Sequence, residues 1–255
     1  MLTRFWGDLM EWASKTHIGK IRSKNEDSLF VEEKSSQIFI VADGMGGHNA
    51  GEIASKLAIE KVSDMLKDNL DKLSQADESE IENLIQEAIK EANTEIYNQS
   101  LSSNSLDGMG TTITLALFVN NKVYFGHVGD SRAYLLRNDK LTQLTEDHTL
   151  VCELVKNGTI TEVEAKTHPK RNIITKALGT ETSPLPDTIS YNVREEDIII
   201  LCTDGLTNIV DNYEIKKCLR NESDLQKACD YLVDQANDRG GFDNITLIAI
   251  RYTHS

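Results

Sequence analysis

Prolines are few in this chain of 255 residues, and all three, Pro169, Pro184 and Pro186, fall in one stretch. That stretch, about 148–187, has little strand signal and reads as an inserted flap; outside it no proline interrupts a helix or strand. Cysteines are scarce too. Cys152, Cys202, Cys218 and Cys229 show no CxxC spacing and Cys202 sits in an apolar run, which argues against a disulfide framework or thiolate zinc site and for reduced, cytoplasmic thiols. No segment reaches the roughly 20 apolar residues that span a bilayer, and the N-terminus lacks a signal-peptide core with a small-residue cleavage site. Positive charge is short as well: 27 Lys and Arg face 41 Asp and Glu, a net charge of −14 that argues against broad electrostatic contact with nucleic acid or anionic lipid. Any phosphate-bearing ligand must be captured locally.

What is present is enough for a substantial core, and no low-complexity tract divides it, so a single domain over 13–255 is expected. Residues 1–12 hold both tryptophans, Trp6 and Trp12, with Leu2, Phe5, Leu9 and Met10. They read as an N-terminal extension that packs on the domain or on a partner protein.

Strand patterns at 28–32 and 37–42 lead through a Gly-rich turn, Gly44 to Gly51, into two helical stretches with apolar stripes, Ile53 to Leu66 and Ile81 to Ile96. From Thr111 the pattern turns β. Runs at 111–119, 122–128, 132–137 and 140–144 are joined across Asn120-Asn121 and Asn138-Asp139, which predicts a meander of antiparallel hairpins. Strands at 188–193, 197–203 and 245–251 and helices near 211–219 and 223–237 complete an α+β sandwich rather than a βαβ nucleotide fold. Inside the flap, Thr161 and Glu164 have capping-box spacing, and Lys166, Lys170, Arg171 and Lys176 form a positive stretch suited to guiding an anion.

Carboxylates recur where apolar runs stop: Asp43 after Ile38 to Ala42, Asp130 after Val123 to Gly129, Asp204 after Ile198 to Thr203, and Asp243 before Ile245 to Ile250. A single Asp-Gly merely opens a turn. Four acids at the mouth of a buried sheet are poorly solvated unless cations meet them, and all-oxygen donors favour Mg²⁺ or Mn²⁺ over Zn²⁺. Two such ions would lower the pKa of a shared water for attack on phosphorus. An arriving phosphate then needs a further positive group, and Arg22, beside Asn25-Glu26-Asp27, supplies one. If 20–26 is extended, Arg22 and Glu26 share a face and Asp27 takes the other. The glycine turn is neither GxGxxG nor a P-loop, so nucleotide binding is the weaker reading.

RSKNED at 22–27, VADGMGGHNAGEIAS at 41–55, GMGTT at 108–112, GHVGDSRAYLL at 126–136, LTEDHT at 144–149, LCTDGLTN at 201–208 and FDNIT at 242–246 together resemble a bacterial metal-dependent (PPM, type 2C) protein serine/threonine phosphatase. The resemblance covers nearly everything after about residue 15. It implies two antiparallel sheets packed as a central sandwich, helices on both sides, and the flap at 158–179 facing the substrate protein. It also implies that Asp43 bridges two catalytic ions, that the Gly44 carbonyl binds the second, and that Asp204 and Asp243 complete the first. Asp130, shared with Asp204, would mark a third, weaker ion. Arg22 would hold phosphate, Glu26 would act through water, and Asp27 and Asn244 would orient the ligands.

Phosphorylated proteins as substrates, a serine/threonine kinase in the same pathway, and a monomer are the partners and state this implies. One departure stands out. Animal members carry His after the Asp-Gly and this chain has Met45, so the acid for the leaving alkoxide is unassigned, with His48 nearby as a candidate. His17, His127, His148, His168 and His254 lack ligand spacing and read as structural or surface residues. The competing functions are a phosphoprotein-binding pseudophosphatase and a hydrolase of small phosphate esters.

Overall fold

A computed structural model describes residues 10–32, 37–46, 50–180 and 185–253. Gly47, His48, Pro184, His254 and residues 1–9, with Trp6, lie outside the described residues. The strands are β1 (Met10–His17), β2 (Asp27–Val31), β3 (Ile38–Met45), β4 (Gly110–Thr111), β5 (Ile113–Val119), β6 (Lys122–Val128), β7 (Arg132–Arg137), β8 (Lys140–Gln143), β9 (Asp187–Asn192), β10 (Ile198–Cys202) and β11 (Ile245–Tyr252). They form one sheet in the order β1-β11-β10-β7-β8 and another in the order β2-β3-β5-β6-β9, with β4 paired to β3. Every pairing is antiparallel.

The helices are α1 (Ala50–Leu73), α2 (Glu78–Ser100), α3 (Leu150–Lys156), α4 (Glu162–Thr167), α5 (Asp204–Thr207), α6 (Asn212–Asn221) and α7 (Leu225–Asp238). Alternate residues of each central strand serve different cores. Phe39, Val41, Phe118, Leu201, Ile248 and Ile250 meet between the sheets, where Phe39 and Phe118 pack edge to face at 5.7 Å. Ile40, Leu115 and Leu117 face the α1–α2 side, and Ile200, Leu247 and Ala249 face the α6–α7 side. Strands covered on both faces read as continuous apolar runs rather than alternating ones. The expected helix-flanked sandwich is therefore what the chain adopts.

Both hairpin turns carry paired positive φ angles, 49° and 62° at Asn120-Asn121 and again at Asn138-Asp139, the geometry that matches strand twist. Thr161 and Glu164 form a reciprocal capping box on α4. Two expectations need correction. Met10, Glu11 and Trp12, read as the end of an extension, begin β1 and pair with Tyr252, Arg251 and Ile250. Residues 20–26 are not an extended strand: Gly19 has φ 84°, and the amides of Lys20 and Ile21 both donate to the Gly241 carbonyl, which bends the segment around the end of α7.

Candidate metal centre

The dry strands end together at one pole of the sandwich. Asp27 opens β2 opposite Asp43 on β3, Thr203 and Asp204 follow β10, Asp243 and Asn244 precede β11, and Asp130 follows β6. Asp27 and Asp130 are buried. Asp43, Asp204, Asp243 and Glu26 are half-buried, crowded by protein yet open to solvent on one side. Gly44 allows this crowding, because a Cβ there would overlap the Gly51 carbonyl of α1 and come within 2.6 Å of the Glu26 carbonyl oxygen. At Gly205 a Cβ would overlap the Asn244 carbonyl oxygen in the same way.

Backbone and hydroxyl bonds hold the acids in place. The Asp43 amide donates to Thr112 Oγ1 at 2.9 Å, and the Asp43 carbonyl accepts from the Thr112 amide and the Thr111 hydroxyl, each at 2.9 Å. Asn244 ties the Arg22 segment to β11: its Oδ1 accepts from the Glu26 amide at 2.8 Å, and its Nδ2 donates to the Ile18 and Lys24 carbonyls at 2.9 and 2.8 Å. Thr203 donates to Asp27 Oδ2 at 2.9 Å, and Asn208 donates to Asp204 Oδ2 at 3.0 Å. Arg22 Nη2 donates to Asp243 Oδ2 at 2.8 Å.

Electrostatics set this pole apart. Burial raises the Asp43 carboxyl well above its usual range, and Asp27, Asp204, Asp130 and Asp243 raise it further. Burial and then Asp204 push Asp130 up to about 8, while burial, with Asp204 and Asp243, pushes Asp27 up to about 7. Asp204 is raised by burial and by Asp243, yet its carboxylate lies within hydrogen-bonding reach of Asp43, an arrangement that needs a shared proton or cation. Asp27 Oδ1 is buried without a partner.

Arg22 is held protonated, against the pull of burial, by Asp243, Glu26 and Asp43. One half-exposed guanidinium cannot neutralise so many acids. Among the described residues no three acids, imidazoles or thiols are already drawn around a single point. The fit to hard divalent ions is therefore one of donor type and charge: oxygen ligands, an orphaned buried oxygen, and mutual repulsion that a cation relieves.

A family model described as "Protein phosphatase 2C" matches residues 15–244. The chain belongs to the protein phosphatase 2C family. This phosphatase is 42% identical over 238 residues to the serine/threonine phosphatase stp of Listeria innocua, covering 92% of this chain and 93% of that one. The S. agalactiae serine/threonine phosphatase structure superposes with a TM-score of 0.87 at 39% identity, over 96% of this chain and 100% of the other. A crystal structure of the PstP catalytic domain in complex with two manganese ions gives a TM-score of 0.84 at 32% identity, over 96% and 99%. The phosphatase is thus an enzyme of known class on a known fold.

Its sequence-predicted site residues come together. Asp43, Asp204, Asp243, Asp130 and Asp27 interact with one another, Arg22 and Glu26 sit at their rim, and Asn244 lies beneath. Met45 ends β3 beside Gly110. Sequence reasoning assigned no role to Thr111, Thr112 or Ser55, whose hydroxyl donates to the Glu26 carbonyl at 2.6 Å. It also passed over the Arg132–Asp147 ion pair, 2.6 Å at its shortest, which stands behind Asp130 and Asp204. All of these lie in the motif segments, which were the available signal.

Proposed function

We propose that this phosphatase hydrolyses phosphoserine and phosphothreonine in proteins, with Asp43, the Gly44 carbonyl, Asp204 and Asp243 as the donors for two Mn²⁺ or Mg²⁺ ions. The convergence of Asp43, Asp204 and Asp243 beside Arg22 carries this reading. Asp130, with Asp204, is assigned to a third, weaker ion. Bound there, divalent ions supply the Lewis acidity that makes water a nucleophile at neutral pH.

The chain's own groups do the rest. Arg22 exchanges part of its bond to Asp243 for two phosphate oxygens, a match for its planar fork, and so orients phosphorus over the acids. Glu26, whose carboxyl is raised chiefly by burial, accepts from water at the rim. Asp27 and Asn244 fix the backbone that presents Asp43 and Arg22. The proposal extends to a cytoplasmic monomer that opposes a serine/threonine kinase in signalling, the flap supplying contacts to the protein substrate. No helix among the described residues is long and apolar enough to cross a membrane.

Phosphate release from a phosphothreonine peptide tests the assignment. Mn²⁺-dependent turnover is expected in the wild-type protein. Asp43→Asn and Asp243→Asn should each lower kcat by about a hundredfold or more, and Arg22→Ala should raise KM about tenfold. Normal turnover by Asp43→Asn, or an unchanged KM in Arg22→Ala, would refute the roles given to these residues.

A further inference from the structure

Behind Asp130 lies a second buried polar cluster, built on two imidazoles. His127 on β6 and His148 stack with centroids 5.0 Å apart and planes inclined by 26°. His127 Nε2 lies 3.0 Å from the Glu146 carbonyl and so donates to it, leaving Nδ1 to accept from the Thr114 hydroxyl at 2.9 Å. His148 holds Gly129 at two points: the Gly129 amide donates to His148 Nδ1 at 3.0 Å, and the His148 amide donates to the Gly129 carbonyl at 2.8 Å. Gly129 has φ 113° and immediately precedes Asp130, so the conformation of the acid-bearing turn is fixed from this side.

The other bonds of His148 lead into the flap. Nδ1 accepts, so Nε2 carries the proton and donates to Asp187 Oδ2 at 3.2 Å, where β9 begins. The His148 carbonyl accepts from the Thr175 amide at 2.8 Å, and the neighbouring Leu150 amide donates to the Ile173 carbonyl at 2.9 Å. The flap, with Lys166, Lys170, Arg171 and Lys176, thus leaves and rejoins the sandwich at this imidazole. Burial, then Lys176, lowers the His148 pKa, and the ring stays neutral, as the bond pattern requires.

We infer that His148 is a positioning residue that locks the base of the flap to the Gly129-Asp130 turn, so that substrate capture by the flap and placement of Asp130 stand or fall together. The inference rests on the phosphatase reading for its link to turnover, and on hydrogen bonding alone for the lock itself.

Amide hydrogen exchange and phosphopeptide kinetics on the full chain test it. In His148→Ala, exchange at Gly129 and Thr175 should quicken by about tenfold, the equivalent of one hydrogen bond. The peptide KM should rise by a similar factor, and by more than kcat falls. His148→Asn places an acceptor near the position of Nδ1 but cannot reach Asp187, so it should restore part of the protection at Gly129 and part of the lost KM. Should His148→Ala fail to fold, Asp187→Ala carries the test: freeing the Nε2 end of the ring must speed exchange at Thr175 and, to a smaller degree, at Gly129, and a change at Thr175 alone overturns the lock. Equal impairment of the Ala and Asn variants, or unchanged exchange at both amides, overturns the inference. If the wild-type protein turns over no phosphopeptide, the proposed function fails while the exchange result still decides the lock.

Discussion

The imidazole stack and the carboxylate pole are neighbours with opposite chemistry. At the stack every ring nitrogen of His127 and His148 has a partner, and burial is met by hydrogen bonds within the protein. At the pole the acids repel one another, Asp27 Oδ1 is orphaned, and one exposed-side arginine offers the only cation in direct hydrogen-bonded contact that the described residues give Asp243. A satisfied buried network stiffens a structure, while an unsatisfied one of a single sign stores a demand for a counter-ion. The two clusters therefore differ in what they need from outside: nothing in one case, positive charge in the other.

The largest expected effect separates them by added metal. Mn²⁺ at about a hundred times its dissociation constant should stabilise the wild-type protein by about 2.7 kcal/mol, a rise in Tm of roughly 5–10 °C for a chain of this size. Asp43→Asn should melt higher than wild type without metal, because one repelling charge is gone, and should gain little from Mn²⁺. Differential scanning calorimetry reads both, and a full Mn²⁺ shift in that variant would erase the contrast between the two clusters.

Next in size is the pH response without metal. Asp130 and Asp27 titrate near 8 and 7 in the folded chain and near their ordinary values when unfolded, so the folded state keeps protons that the unfolded chain has released. Stability must then fall as pH rises through those folded values, by about 2 kcal/mol between roughly pH 6.5 and 8. The imidazoles have the reverse sign. His127, pushed down to about 4 by burial and then by His148, favours the folded state less as pH drops from its unfolded value toward 4. Urea titrations in chelator across that range should show the alkaline loss, flattened in Asp130→Asn and by Mn²⁺; a flat wild-type profile would contradict the repulsion.

The smallest effect is His127→Gln, which keeps a donor for the Glu146 carbonyl but loses the stack and the acceptor for Thr114. It should cost about 1 kcal/mol in urea denaturation and leave the Mn²⁺ shift in place, as fits a network that asks nothing of the metal.

Much of this was legible in the chain. The spans of β6 and β7 follow from their apolar runs and the Asn-Asn and Asn-Asp turns, which fix the register of each hairpin. The acids at the strand ends were visible because strands dry on both faces leave a charged residue no other place to stand. β1 was hidden: its sequence MEWASKTH alternates weakly, and its partner β11 lies at the far end of the chain. The bend at 20–26 was misread because it depends on Gly241, which no local pattern reveals, although Arg22 still reaches Asp243. Thr112, Asp147 and His148 act by hydrogen bonds to residues distant in the chain, and such bonds leave no periodic trace.

The pairing of β1 with β11 has a practical corollary. Met10 faces Tyr252 across the ladder, while His17 faces Ile245 next to the acids. The strand is eight residues long, so Met10 and Tyr252 sit about 25 Å from the catalytic pole and within about 5 Å of each other. Both side chains are buried between the sheets, but the adjacent Glu11 is exposed opposite Arg251, so a dye, bead or surface tether coupled at Glu11 would hold the molecule from the end away from the acids, with the acidic mouth turned toward the solution.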